Sequence, residues 1–101
     1  MDQFAILALL DAKAGKEHEV EEFLKSALPL AQAELGTTSW YALKLSPSRF
    51  AIFDSFPTEN ARDTHLSGEI AKALFAKATE LFIGPPKVEM AVVLAVKAWG
   101  A

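Results

Sequence analysis

The sequence predicts an α+β domain in the order β-α-β-β-α-β, with an antiparallel four-stranded sheet carrying both helices on one face. Three observations lead there. Residues 3–11, 37–45, 50–56 and 88–96 read as short strands, alternating in hydropathy or apolar on both faces. Residues 16–35 and 58–82 repeat apolar side chains at helical spacing. Turn residues separate these stretches: Ala14-Gly15-Lys16, Ser46-Pro47-Ser48 and Gly84-Pro85-Pro86. At 101 residues the chain is read as one domain, 1–101, with one modest core.

The first strand places Phe4, Ile6, Ala8 and Leu10 on one face and Ala5, Leu7 and Leu9 on the other. Both faces are apolar, so both should be covered. In the first helix Val20, Phe23, Leu24, Ala27, Leu28 and Ala31 form one stripe, and Glu17 and Glu19 suit the helix start. Pro29 should bend this helix and Gly36 should stop it. The second strand, Thr37 to Leu45, points Trp40 and Tyr41 to opposite faces and pairs with the third as a hairpin.

The third strand sets Phe50, Ile52, Asp54 and Phe56 on one face. An acid among three large apolar side chains is costly to bury without a partner. Pro57 ends this strand, and Thr58 caps a helix carrying Arg62 and His65. Ser67 reads as a second cap and Gly68 as a break. Ala71, Leu74, Phe75, Ala78, Leu81 and Phe82 form the stripe of the longer piece. On the last strand Val88, Met90, Val92, Leu94 and Val96 alternate with Ala91, Val93 and Ala95, and a tail with Trp99 follows.

This order is the ferredoxin-like arrangement. Two helices cover one face of four strands, and the other face would stay apolar and wet. A second copy packed sheet to sheet would bury it, so a twofold homodimer is expected, with Trp99 packing at its edge.

Composition narrows the function. Half the chain, 51%, is apolar, as in a globular protein. A net charge of −3 without a basic block argues against nucleic acid or an anionic membrane as main partner. The lack of cysteine excludes disulfides, thiolate catalysis and iron–sulfur ligation. No apolar run reaches membrane-spanning length, and no signal-peptide layout is seen; a cytoplasmic location is expected. No phosphate loop, dinucleotide fingerprint or metal-ligand cluster appears, so no cofactor is expected.

Several short motifs occur in a telling order: Ala14-Gly15-Lys16-Glu17, Glu34-Leu35-Gly36-Thr37, the strand from Phe50 to Phe56 followed by Pro57, Thr64-His65-Leu66-Ser67, and Gly84-Pro85-Pro86. In this the chain resembles the antibiotic biosynthesis monooxygenase family of dimeric α+β barrels. The resemblance covers nearly the whole chain. The family includes cofactor-free oxygenases of aromatic polyketides and quinols, and haem-degrading enzymes. Haem-degrading relatives use an asparagine on the first strand, a tryptophan near the end of the third and a histidine on the next helix. Here those positions hold Ala8, Phe56 and His65, which argues against a haem-degrading role.

The resemblance makes His65 the expected general base, because imidazole titrates near neutrality. The plainer reading is a helix histidine that packs and bonds locally. Asp54 is either an acid oriented toward His65 or Arg62, or a structural acid bonded to Arg62 or backbone. The expected ligand is a small aromatic or apolar molecule. Phe50, Ile52, Phe56 and Phe75 are the expected walls of its pocket between helices and sheet, with Arg62 nearby, and Trp40 and Tyr41 are available to stack on its ring. The implied activity is cofactor-independent monooxygenation of an aromatic phenol or quinol. The alternatives are a non-catalytic dimeric barrel binding a small apolar ligand, and a structural dimer with a filled core.

Overall fold

The computed structural model describes residues 2–97. The elements are β1 (Phe4–Asp11), α1 (Glu17–Ser26), α2 (Leu28–Ala33), β2 (Ser39–Lys44), β3 (Arg49–Phe56), α3 (Glu59–Leu66), α4 (Glu69–Leu81) and β4 (Lys87–Val92). The sheet order is β2-β3-β1-β4, antiparallel throughout, so the fold is the expected ferredoxin-like α+β arrangement. Trp99 lies outside the described residues.

Each helical layer is built in two pieces. Pro29 sits in the first turn of α2, where its missing donor is harmless, and α1 has already closed at Ala27. The expected single bent helix is thus a break, and Leu28 turns outward, 45% exposed. Thr58 caps α3 as its chemistry suggests, accepting from the Ala61 amide at 3.1 Å. Ser67 closes α3 instead of starting α4, whose N-cap is Gly68.

The core lies between the helices and one sheet face. Ala8, Leu10, Phe50 and Ile52 meet Val20, Leu24, Leu74, Ala78, Leu81 and Phe82 there, with Phe23 and Trp40 packed at its margin. The opposite face carries Leu7, Leu9, Tyr41, Leu43 and Phe53 by register. Tyr41 is 56% exposed on that face, with its ring 6.3 Å from that of Phe53. β4 is an edge strand, and the helices stop short of it: Val88, Met90 and Val92 are exposed although they share the helix-facing side with Ala8, Ile6 and Phe4. Among the described residues, no helix is long and apolar enough to cross a membrane.

Candidate functional site

The site starts with strand alternation. Asp54 falls on the helix-facing side of β3, paired across the sheet with Ile6 of β1 and Trp40 of β2. It is 1% exposed. Two residues later the strand ends, Pro57 turns the chain, and α3 folds back over the sheet. His65, in the last turn of α3, then comes down on Asp54, with its Nε2 2.9 Å from Asp54 Oδ2. The Phe56 ring packs beside the imidazole, 5.2 Å between centroids.

The other ring nitrogen faces a residue 31 positions earlier. His65 Nδ1 lies 2.6 Å from Oε1 of Glu34, the residue that closes α2. Thr37 Oγ1 donates to the same oxygen at 2.7 Å. Gly68 lets the start of α4 approach closely, because a Cβ there would stand 2.9 Å from Glu34 Oε2 and 3.2 Å from the His65 carbonyl oxygen. The three side chains form a line: Asp54 beneath, His65 between, Glu34 toward solvent with its side chain 19% exposed.

Burial alone would push the His65 imidazolium toward deprotonation. The hydrogen bond and charge of Asp54, then those of Glu34, outweigh it and raise the His65 pKa above its ordinary 6.5. Protonated His65 donates one N–H to each carboxylate. Among the described residues, Glu34 Oε2 and Asp54 Oδ1 are buried atoms with no hydrogen-bond partner. The array therefore sets an imidazole between two carboxyl groups and leaves one oxygen bare at each end.

Glu34 and His65 line a groove of about 510 Å³ between α2, the loop after it and α3. Leu30, Ala33, Leu35 and Ala61 supply apolar walls, and Thr37, Asn60 and Thr64 supply hydroxyl and amide groups. Among the described residues, no group of three or more His, Cys, Asp or Glu side chains is arranged to hold a metal ion.

The residues expected at the site divide sharply. His65 and Asp54 are brought together, and of all those expected only His65 lines the groove. Phe50, Ile52 and Phe56 are no more than 5% exposed and belong to the core; Phe50 also borders a separate hollow of about 140 Å³ near Lys44. The expected pocket between helices and sheet is instead packed, because α1 and α4 fill that space with Leu24 and Leu74. Phe75 is 53% exposed, since α4 turns Leu74, Ala78 and Leu81 inward and Phe75 falls off that stripe. Tyr41 is on the opposite sheet face. Trp40 packs at the core margin with its buried Nε1 unpartnered among the described residues. Arg62 does not bond Asp54: it pairs with Asp63 at 3.1 Å and Glu59 at 3.6 Å, and lies 5.4 Å from the centroid of the Phe4 ring.

Glu34 is the residue the sequence reading missed. Two signals were present: Glu34 opens one of the short motifs, and an acid at a helix C-terminus, where the dipole disfavours negative charge, implies a compensating partner.

No family model and no curated protein matches the sequence. Solved structures do match. A protein of unknown function from Nitrosomonas europaea, NE2512, is 49% identical over 97% of this chain and 95% of its own, with a TM-score of 0.94. A candidate antibiotic biosynthesis monooxygenase from the same organism is 15% identical over 91% of this chain and 90% of its own, with a TM-score of 0.80. Another, from Caulobacter crescentus, is 18% identical over 93% of this chain and 92% of its own, with a TM-score of 0.76. These last two establish a shared fold.

Proposed function

Since this chain belongs to one family with the Nitrosomonas europaea protein of unknown function and has the fold of the antibiotic biosynthesis monooxygenases, we propose that it is a cofactor-independent monooxygenase of an aromatic phenol or quinol. The observation that supports this reading is the buried Asp54–His65–Glu34 array on the wall of an apolar groove. The groove volume lies in the range of small-molecule sites.

The chemistry needs little else. The array takes the hydroxyl proton of the bound phenol or quinol, and the resulting phenolate is electron-rich at its ortho and para carbons, of which one that bears hydrogen reacts. That carbon forms a bond to dioxygen. The O–O bond then breaks, leaving one oxygen as a new ring carbonyl; the other departs as water with the hydroxyl and ring hydrogens. The ring is oxidised to a quinone and dioxygen is reduced, so no external reductant is needed. An apolar groove favours the step by keeping bulk water from the anion.

The same reading takes the molecule to be a homodimer. The open face of Leu7, Leu9, Tyr41, Leu43 and Phe53, with the bare edge strand β4, is the surface a second copy would cover. The composition suits a cytoplasmic enzyme.

A second reading has its own support. Both ring nitrogens of His65 are already bonded to carboxylates, as they would be in a purely structural ion pair beneath a ligand-binding groove. Oxygen uptake with a panel of phenols and hydroquinones separates the two. Uptake that disappears in His65→Ala supports the oxygenase; ligand binding without uptake supports the binding module.

A further inference from the structure

We propose that Glu34 gates His65: it covers Nδ1 while the imidazole is charged, and it turns toward solvent when Nδ1 gives up its proton, baring that nitrogen to the groove. The gate is a property of the three side chains alone. Its use in catalysis rests on the oxygenase reading and deepens it by naming the reacting atom and its tautomer.

A charged imidazole has two N–H groups and a neutral one has only one. The carboxylates at Nε2, 2.9 Å away, and at Nδ1, 2.6 Å away, are therefore both satisfied only while His65 is charged. Once neutral, the ring must turn a lone pair toward one carboxylate, and the two repel. Burial decides which carboxylate yields. Asp54 is 1% exposed and its Oδ1 is already bare among the described residues, so losing His65 would strand a buried charge. Glu34 closes α2, lines the groove and has a side chain 19% exposed. Water can receive its carboxylate for the cost of a rotamer change. The remaining proton therefore stays on Nε2 against Asp54, and Nδ1 is the nitrogen that opens.

The charges around the ring favour the same order. α3 packs against β1, β3 and α4. β1 turns Phe4, Ile6 and Ala8 to this side, opposite Phe56, Asp54 and Ile52 of β3. α4 begins with Glu69, which lines the groove and pairs with Lys72 at 3.6 Å. On α3 itself, Arg62 is engaged by Asp63 and Glu59. Asp54 and Glu34 are thus the groups that hold the charge on His65, and they raise its pKa although burial opposes them. The gate is closed in acid and opens as pH climbs through the raised value.

In the open state Nδ1 takes the substrate proton: the O–H bond breaks and an N–H bond forms. The imidazolium is restored above Asp54, and Glu34 closes on the new N–H once the ring has left. His65 is the catalytic residue in this scheme, and Glu34 is a positioning residue.

The test uses His18→Gln, which leaves one of the two histidines. His18 is a safe site, because its side chain is 84% exposed. The ring nitrogens are labelled with nitrogen-15 and followed by NMR across pH. The expected result is that the proton leaves Nδ1 and Nε2 keeps its own. Diethyl pyrocarbonate, which acylates an uncovered, unprotonated imidazole nitrogen, should react about tenfold faster one pH unit above the midpoint than one unit below it. Adding Glu34→Gln removes the charge that holds the gate shut, so the midpoint should fall by about one pH unit. Loss of the Nε2 proton first, a ring that resists the reagent equally on both sides of the midpoint, or an unmoved midpoint in the folded Glu34→Gln protein overturns the gate. If Glu34→Gln fails to fold, the first two readings, made with native Glu34, decide. Oxygen uptake against pH is read on the same proteins. Uptake whose pH midpoint ignores Glu34→Gln overturns the gate and leaves the oxygenase standing. Nδ1 opening as expected, with no uptake for any phenol, supports the gate and removes the oxygenase reading.

Discussion

Replacing His65 with leucine takes the central member from the array while keeping much of its volume. Asp54, 1% exposed, then loses the only partner of Oδ2 among the described residues, and Oδ1 is already bare. Leaving that buried charge unpaired costs about 3–5 kcal/mol, a large share of the roughly 5–15 kcal/mol that holds a domain together. The melting temperature should fall by about 15–30 °C. Replacing both groups, in Asp54→Leu with His65→Leu, removes the stranded charge and should restore most of the stability. Thermal and urea unfolding followed by circular dichroism measure all three. A single variant that loses less than about 1 kcal/mol at pH 7, or a double variant no better than the single, would refute the idea that a buried ion pair holds α3 to the sheet.

Three further outcomes are expected. His65 has a raised pKa, so its stabilisation is complete below the unfolded value of 6.5 and fades as pH climbs through the folded value; the melting temperature should decline over that window in the wild type and stay flatter in His65→Leu, and the ring signals in NMR should titrate above 6.5. Light scattering at micromolar concentration should give twice the monomer mass, and Tyr41→Glu or Leu7→Glu on the open sheet face should halve it, whereas a wild-type monomer would end the sheet-to-sheet proposal. Haem titration should show no stoichiometric Soret shift, because buried Ala8 and Phe56 stand where haem-degrading relatives carry polar and indole groups; tight binding with reductant-dependent ring opening would overturn this.

Much of the fold was legible because it depends on local chemistry. The alternation through Phe50, Ile52, Asp54 and Phe56, the stop at Pro57 and the cap at Thr58 together bring a helix back over the strand, and His65 with it. That was enough to anticipate Asp54 beside His65. Alternation, however, tells which face a side chain takes and not whether the space above it is empty. Phe50, Ile52 and Phe56 were assigned to a pocket on that ground, and Leu24 and Leu74 fill the space. Glu34 depends on α2 docking against α4 and on meeting His65 from 31 residues away, contacts between distant segments that no local pattern encodes. Two local hints pointed to it: Glu34 opens one of the short motifs, Glu34-Leu35-Gly36-Thr37, and it is an acid where a helix dipole opposes it.

The most direct measurement is dioxygen consumption by the purified protein, stripped with chelator, across a panel of neutral phenols and hydroquinones. The expected result is uptake with at least one of them, one dioxygen per quinone formed, falling about 10²–10⁴-fold when the proton-accepting array is broken by His65→Ala. No uptake across the panel, or uptake that His65→Ala leaves unchanged, would contradict the proposed function.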